Sequence, residues 1–145
     1  MHPRIHIVLS FVIAALCIGA AMPAHAQIWT WKNEYGSVLA VTSTTANGGI
    51  VGTYTNNAPG SCGVGRAQPM TGWLASGSNG TAISFSVNFL GCNSTTVWTG
   101  QLQPSANFQG MWFLSLAGPV AWNGVSAGAD AFVFQSGNKA ELLKH

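Results

Sequence analysis

Thr81-Ala82-Ile83-Ser84-Phe85-Ser86-Val87-Asn88-Phe89 alternates without a break. Successive side chains of a strand point to opposite faces, so Ile83, Phe85, Val87 and Phe89 share one face and Ala82, Ser84, Ser86 and Asn88 the other. An apolar face backed by a polar one is the mark of a half-buried strand. Ser78-Asn79-Gly80 turns the chain before it, and a short loop with Cys92 follows.

The next segment, Ser94-Thr95-Thr96-Val97-Trp98-Thr99-Gly100, is again strand-like, rich in β-branched residues and closed by Gly. Ser94, Thr96 and Trp98 share a face, which carries two hydroxyls in line with an indole. A wall with hydrogen-bonding groups and a flat apolar surface suits a small polar ligand in an apolar pocket.

Working outward, short apolar or alternating segments are punctuated by Gly, Asn, Ser and Pro, and none keeps a helical period for three turns. Strands are predicted over 28–32, 36–43, 49–56, 70–76, 81–89, 95–103, 109–116 and 130–135. Asn47-Gly48 supplies one tight turn, and longer loops cover 57–68, with Cys62 and Arg66, and 117–128, with Trp122. Eight short strands with tight turns predict an antiparallel up-and-down barrel or a sandwich. In a barrel, eight strands leave an interior able to hold one small ligand. The short polar tail after Ser136 is expected to be loosely ordered.

The N-terminus reads as an address. A basic start at 1–6, an apolar run from Ile7 to Met22 and Ala24-His25-Ala26 form a signal-peptide pattern, with cleavage expected after Ala26. The run is short for a membrane span. The domain plan is therefore a signal peptide at 1–26, a barrel at 27–136 and a tail at 137–145, with the mature protein secreted or periplasmic. Cys17 leaves with the signal; Cys62 and Cys92 remain, an even count that implies one disulfide in an exported domain.

The remaining charges are Lys32, Arg66, Lys139 and Lys144 against Glu34, Asp130 and Glu141. No basic surface for nucleic acid or lipid follows from that balance. His145 alone survives of the four histidines, so a His-based triad cannot be assembled. A zinc site lacks ligands once the cysteines are paired. A glycosidase pair would have to come from Glu34, Asp130 and Glu141. No enzyme, no metal and no cofactor are expected.

From about Ile28 to Phe134 the chain resembles the avidins and streptavidin. The carrying motifs are Trp31-Lys32-Asn33-Glu34-Tyr35-Gly36-Ser37, Gly52-Thr53-Tyr54, Ser94 to Gly100, Trp112-Phe113-Leu114, and Trp122 followed eight residues later by Asp130. The resemblance implies a barrel, not a sandwich, with one site for biotin at its mouth. It implies that Asn33, Ser37 and Tyr54 surround the ureido oxygen, while Asp130 and Asn56 accept from the ureido N–H groups. Thr96 then lies against the ring sulfur and Ser94 near the valerate carboxylate, with Phe89, Trp98, Trp112 and Leu114 as apolar walls. Trp122 would close the pocket of a neighbouring subunit. The two cysteines fall in loops that belong to the mouth in that family. Departures are Phe89 in place of the usual Trp, Asn56 in place of Ser or Thr, and Tyr35 in place of a smaller apolar residue.

The outward face bears its own expectation. Trp73, Val97, Met111 and Phe113 point outward if their neighbours point in, a liability for a monomer. A homo-oligomer is expected, and Trp122 favours a tetramer over a dimer. The competing expectation is a similar barrel that binds a different small molecule or a peptide.

Overall fold

In the computed structural model, residues 28–119 and 123–145 are described. The predicted signal segment at 1–26 and Trp122 lie outside them. Eight strands run in chain order: β1 (Trp29–Asn33), β2 (Val38–Thr44), β3 (Gly49–Thr55), β4 (Ala67–Gly77), β5 (Gly80–Phe89), β6 (Ser94–Leu102), β7 (Phe108–Leu116) and β8 (Val125–Gly137). Each pairs antiparallel with the next, and β8 returns to β1, so the sheet is a closed barrel and not a sandwich. Closure by β1–β8 pairing leaves no free edge along the paired rungs, which run from Trp29↔Gly137 to Asn33↔Phe132.

The alternation in β5 is realised as read. Ile83, Phe85, Val87 and Phe89 are buried in the barrel, and Ala82 and Asn88 are exposed. Inside, aromatic rings pack in a chain. Trp98 stacks on Phe85 at 4.8 Å, Phe85 meets Phe132 edge-on at 5.9 Å, and Phe132 stacks on Phe108 at 4.5 Å. Trp31 then meets Phe108 edge-on at 6.0 Å and donates from Nε1 to the Ala106 carbonyl at 2.7 Å. Offset and edge-on contacts of this kind suit the ring quadrupoles and fill the barrel below the level of Trp98.

Two strands start earlier than their sequences suggest. β8 begins at Val125, five residues before Asp130, although Ser126-Ala127-Gly128-Ala129 has weak strand propensity; β7 supplies the ladder, from Ser115↔Val125 to Phe108↔Phe132. Gly128 is required there, because a Cβ would lie 2.4 Å from the Trp112 ring that crosses it. β4 begins at Ala67 and includes Pro69. Over Ala67–Pro69 only β3 is paired, since β5 joins at Met70↔Val87. Proline is tolerated in a strand with such an open side.

The tail corrects a sequence expectation. Residues 138–145 are not loose: they form a short helix α1 (Lys139–Leu142), with Asn138 as N-cap accepting from the Glu141 N–H at 3.2 Å. Leu142 is 0% exposed and belongs to the barrel core. Trp29 Nε1 donates to the Asn138 carbonyl at 3.1 Å, the Ser76 N–H donates to the His145 carbonyl at 2.9 Å, and His145 sits edge-on to Trp29. Leu142, with Leu143 packed beside it and these polar contacts, docks the tail on the end of the barrel away from Asn33.

Candidate functional site

The β1–β2, β3–β4, β5–β6 and β7–β8 connections gather at one end of the barrel, and a cavity of about 360 Å³ opens there. That is the scale of a site for one small ligand. Of the residues singled out in the sequence, eleven line it: Asn33, Ser37, Tyr54, Asn56, Phe89, Ser94, Thr96, Trp98, Trp112, Leu114 and Asp130. The twelfth, Trp122, lies outside the described residues.

Asn33 ends β1 and shapes the turn after it. Its Oδ1 accepts from the backbone N–H groups of Tyr35 at 3.1 Å and Ser37 at 2.8 Å, and Gly36 provides the left-handed backbone, with φ +81°. Two N–H donors fix the amide orientation, so the donor end, Nδ2, is the part left for other partners. Ser37 is fully buried; its Oγ accepts from the Asn57 N–H at 2.9 Å and donates to Asn56 Oδ1 at 3.4 Å. Asn56 Oδ1 also accepts from the Ala58 N–H at 3.0 Å. Turning the Ser37 hydroxyl toward a ligand oxygen would free an acceptor position on Asn56 in the same motion. Burial pushes the Tyr54 phenol well above its ordinary value; the Ser37 hydrogen bond opposes this, and the charges of Asp130 and Glu34 add to it. Tyr54 is therefore a protonated donor at any physiological pH.

Asp130 faces these groups from β8. Trp98 Nε1 donates to Oδ2 at 3.0 Å and Trp112 Nε1 to Oδ1 at 3.2 Å. Two indoles from neighbouring strands, rungs of one pair at Trp98↔Trp112, grip one carboxylate. Desolvation raises the Asp130 carboxyl above the usual carboxylate range, and the nearby Glu34 charge adds to it; hydrogen bonds from Trp98, Asn33 and Trp112 pull the other way. Each carboxylate oxygen has two lone pairs and one indole partner, so acceptor capacity remains. Thr96 is 3% exposed, and its Oγ1 has no hydrogen-bond partner. A buried hydroxyl without a partner costs free energy, and this one lines the cavity.

Cys62 and Cys92 are bonded, as their even count implied, and both line the cavity. The bridge ties the β3–β4 loop to the β5–β6 loop. The sequence did not single out Ala58, Ser61 or Leu116 as lining residues, nor Tyr35 in that role. Leu116 follows Leu114 at period two and could have been found; Ala58 and Ser61 sit in a loop, where no period exists to follow. Among the described residues no three His, Cys, Asp or Glu side chains come together as a metal site.

A closed β-barrel with a mixed polar and apolar cavity at its loop end defines a small-ligand-binding barrel. The family model described as "Avidin family" matches residues 23–135, and the chain belongs to that family. Membership makes it a binding protein and not an enzyme. The chain is 67% identical to bradavidin, whose crystal structure matches with a TM-score of 0.76 over 80% of this chain and 85% of that one. For core-bradavidin the values are 68% identity, TM-score 0.72, and 74% and 98% coverage. The bradavidin2–biotin complex is 32% identical, with a TM-score of 0.64 and coverage of 77% and 99%. No curated protein matches the chain.

Proposed function

We propose that the protein binds biotin in this cavity, without chemical conversion. The observation that carries the reading is the arrangement of donors and acceptors lining the cavity. A ureido group has one strong acceptor between two N–H donors. Ser37, Tyr54 and the Asn33 amide N–H groups are donors available to the oxygen, while Asp130 and Asn56 are acceptors available to the N–H groups. Donors preset in a low-dielectric site bind such an oxygen without reorganisation.

Phe89, Trp98, Trp112 and Leu114 give the apolar walls a fused bicyclic ring needs. Thr96 Oγ1 is free to donate to a weak acceptor such as a thioether sulfur, and Ser94 suits a carboxylate nearer the mouth. The solved biotin complex of bradavidin2, in the same family, supports the choice of ligand. Calorimetry with biotin, alongside Trp fluorescence, tests it: tight binding and a change in emission are expected, because Trp98 and Trp112 line the cavity. Absence of heat, emission change and thermal shift would defeat the reading.

The finer reading is of an exported homo-oligomer. Removal of residues 1–26 would leave Gln27 first, which N-terminal sequencing of the exported chain checks. Outside the barrel, Val97 pairs with Phe113 across β6–β7, next to Met111, and all three are about half exposed, as is Trp73. A patch of this kind favours covering by a second copy. A tetramer, with Trp122 closing a neighbour's mouth, is favoured over a dimer. A monomer by light scattering would overturn this part.

A further inference from the structure

The seam that closes the barrel ends at Asn33↔Phe132, yet β8 continues to Val125 with only β7 beside it. The next N–H on the β1 side, that of Ala131, is not left to solvent: Glu34 Oε2 accepts it at 2.9 Å. A side chain thus supplies the rung that a longer β1 would have made. The two residues so joined directly follow Asn33 and Asp130, both of which line the cavity. Fixing Ala131 against Glu34 therefore fixes how the Asp130 side chain meets Asn33, Trp98 and Trp112. The contact also brings a second carboxylate close enough to Asp130 to oppose its ionisation.

We propose that Glu34 is a positioning residue for Asp130: it locks the mouth end of the β1–β8 seam and presents its charge to the ligand-facing carboxylate. This rests on the reading that Asp130 accepts from the ligand, and it adds a residue outside the cavity lining to the binding machinery. The groups facing Asp130 are Glu34 from the β1–β2 turn, Tyr54 from β3, Asn33 from β1, Trp98 from β6 and Trp112 from β7. Tyr54 stays protonated and the last three are neutral, so Glu34 is the charge whose removal Asp130 should register. An exposed Glu at a turn would ordinarily be a solvated surface charge; its bond to a strand N–H, 97 residues away in sequence, distinguishes this one.

Two variants separate the contact from the charge. Glu34→Gln keeps an acceptor for the Ala131 N–H and removes the charge; Glu34→Ala removes both. In the ligand-free protein, the Asp130 carboxyl titration, followed by carbon NMR, is expected to move to lower pH in both. Ala131 amide exchange is expected to stay slow in Glu34→Gln and to accelerate by about tenfold or more in Glu34→Ala, the worth of one such bond. With biotin, Glu34→Ala is expected to bind about tenfold more weakly at neutral pH, while the acid fall-off of Glu34→Gln moves to lower pH. Unchanged Ala131 exchange in Glu34→Ala together with an unmoved Asp130 titration in Glu34→Gln would overturn the proposal. A protein that binds no biotin at any pH would instead defeat the reading beneath it, and the two ligand-free measurements would still report the Glu34 contact.

Discussion

Trp98 and Asp130 are 32 residues apart in sequence and meet inside the barrel over the intervening strand β7, with the indole Nε1 donating to the carboxylate Oδ2 at 3.0 Å. Each solves a problem for the other. A buried indole N–H needs an acceptor, and a buried carboxylate needs donors, which here come from two indoles in place of a cation. The pair also joins an apolar wall of the cavity to its polar end, so a ligand that touches the ring and bonds the carboxylate engages both at once.

Asp130 predicts how pH acts. Its carboxyl lies above the ordinary range, chiefly through desolvation, so the fold disfavours the ionised form. The cost to stability is full above the raised value and fades as pH falls through it toward the unfolded value. Ligand binding has the opposite sense, because an N–H donor needs the ionised acceptor: affinity falls as pH drops through the raised value. Asp130→Asn is expected to bind about 10- to 100-fold more weakly, the range for a bond to a charged group, and with a flat acid profile. Calorimetry across the acid and neutral range checks both; an acid fall-off that persists in the variant would refute the assignment.

Thr96 gives effects of opposite sign on stability and binding. Replacing its partnerless hydroxyl by a methyl, in Thr96→Val, is expected to stabilise the ligand-free protein by about 1 kcal/mol. Biotin affinity is expected to fall several-fold, since the hydroxyl is then absent when a partner arrives. A lower melting temperature in the variant would show that the hydroxyl is already satisfied.

The disulfide closes a ring with a sequence separation of 30. Removing it, in Cys62→Ser/Cys92→Ser, is expected to cost roughly 3–4 kcal/mol on the chain-entropy model. Because both cysteines line the cavity, freeing the two loops should also speed biotin release, through the ordering that binding must then supply. Denaturant melts and stopped-flow dissociation read the two effects separately. Lost stability with unchanged dissociation would reduce the bridge to a staple.

Leu142 tests the far end. Truncation to Ala leaves a hole beneath the barrel and is expected to cost about 2–5 kcal/mol. Biotin affinity should hold, because the cavity opens at the other end. An unchanged melting temperature would mean that α1 does not support the core.

Much of the fold was legible in the sequence because a strand's signal is local. Ile83, Phe85, Val87 and Phe89 declare their face within nine residues, and the outward set from Trp73 to Phe113 follows by the same count. The cavity residues were legible for the same reason, once motif resemblance said which faces mattered. Where the signal is not local, the sequence was silent or misleading. Ser126–Ala129 has weak strand propensity of its own and is held by β7; Pro69 sits in a strand because one side of it is unpaired. The tail looked polar, yet it docks through Leu142, with Leu143 packed beside it and hydrogen bonds from Trp29 and Ser76.

Alternating side chains, turn residues and two cysteines thus determined an all-β fold, its inward face and its bridge, since each depends on neighbours a few residues apart or on simple pairing; motif resemblance chose the barrel over the sandwich, and the β1–β8 pairing closes it. Only the tertiary structure decided which polar atoms are spent and which are free. The Asn33 oxygen is taken by its own turn, the Asp130 carboxylate is shared between two indoles, and the Thr96 hydroxyl is left over. Those outcomes depend on ångström-scale distances between strands that are brought together only when the barrel closes, and no sequence period encodes them.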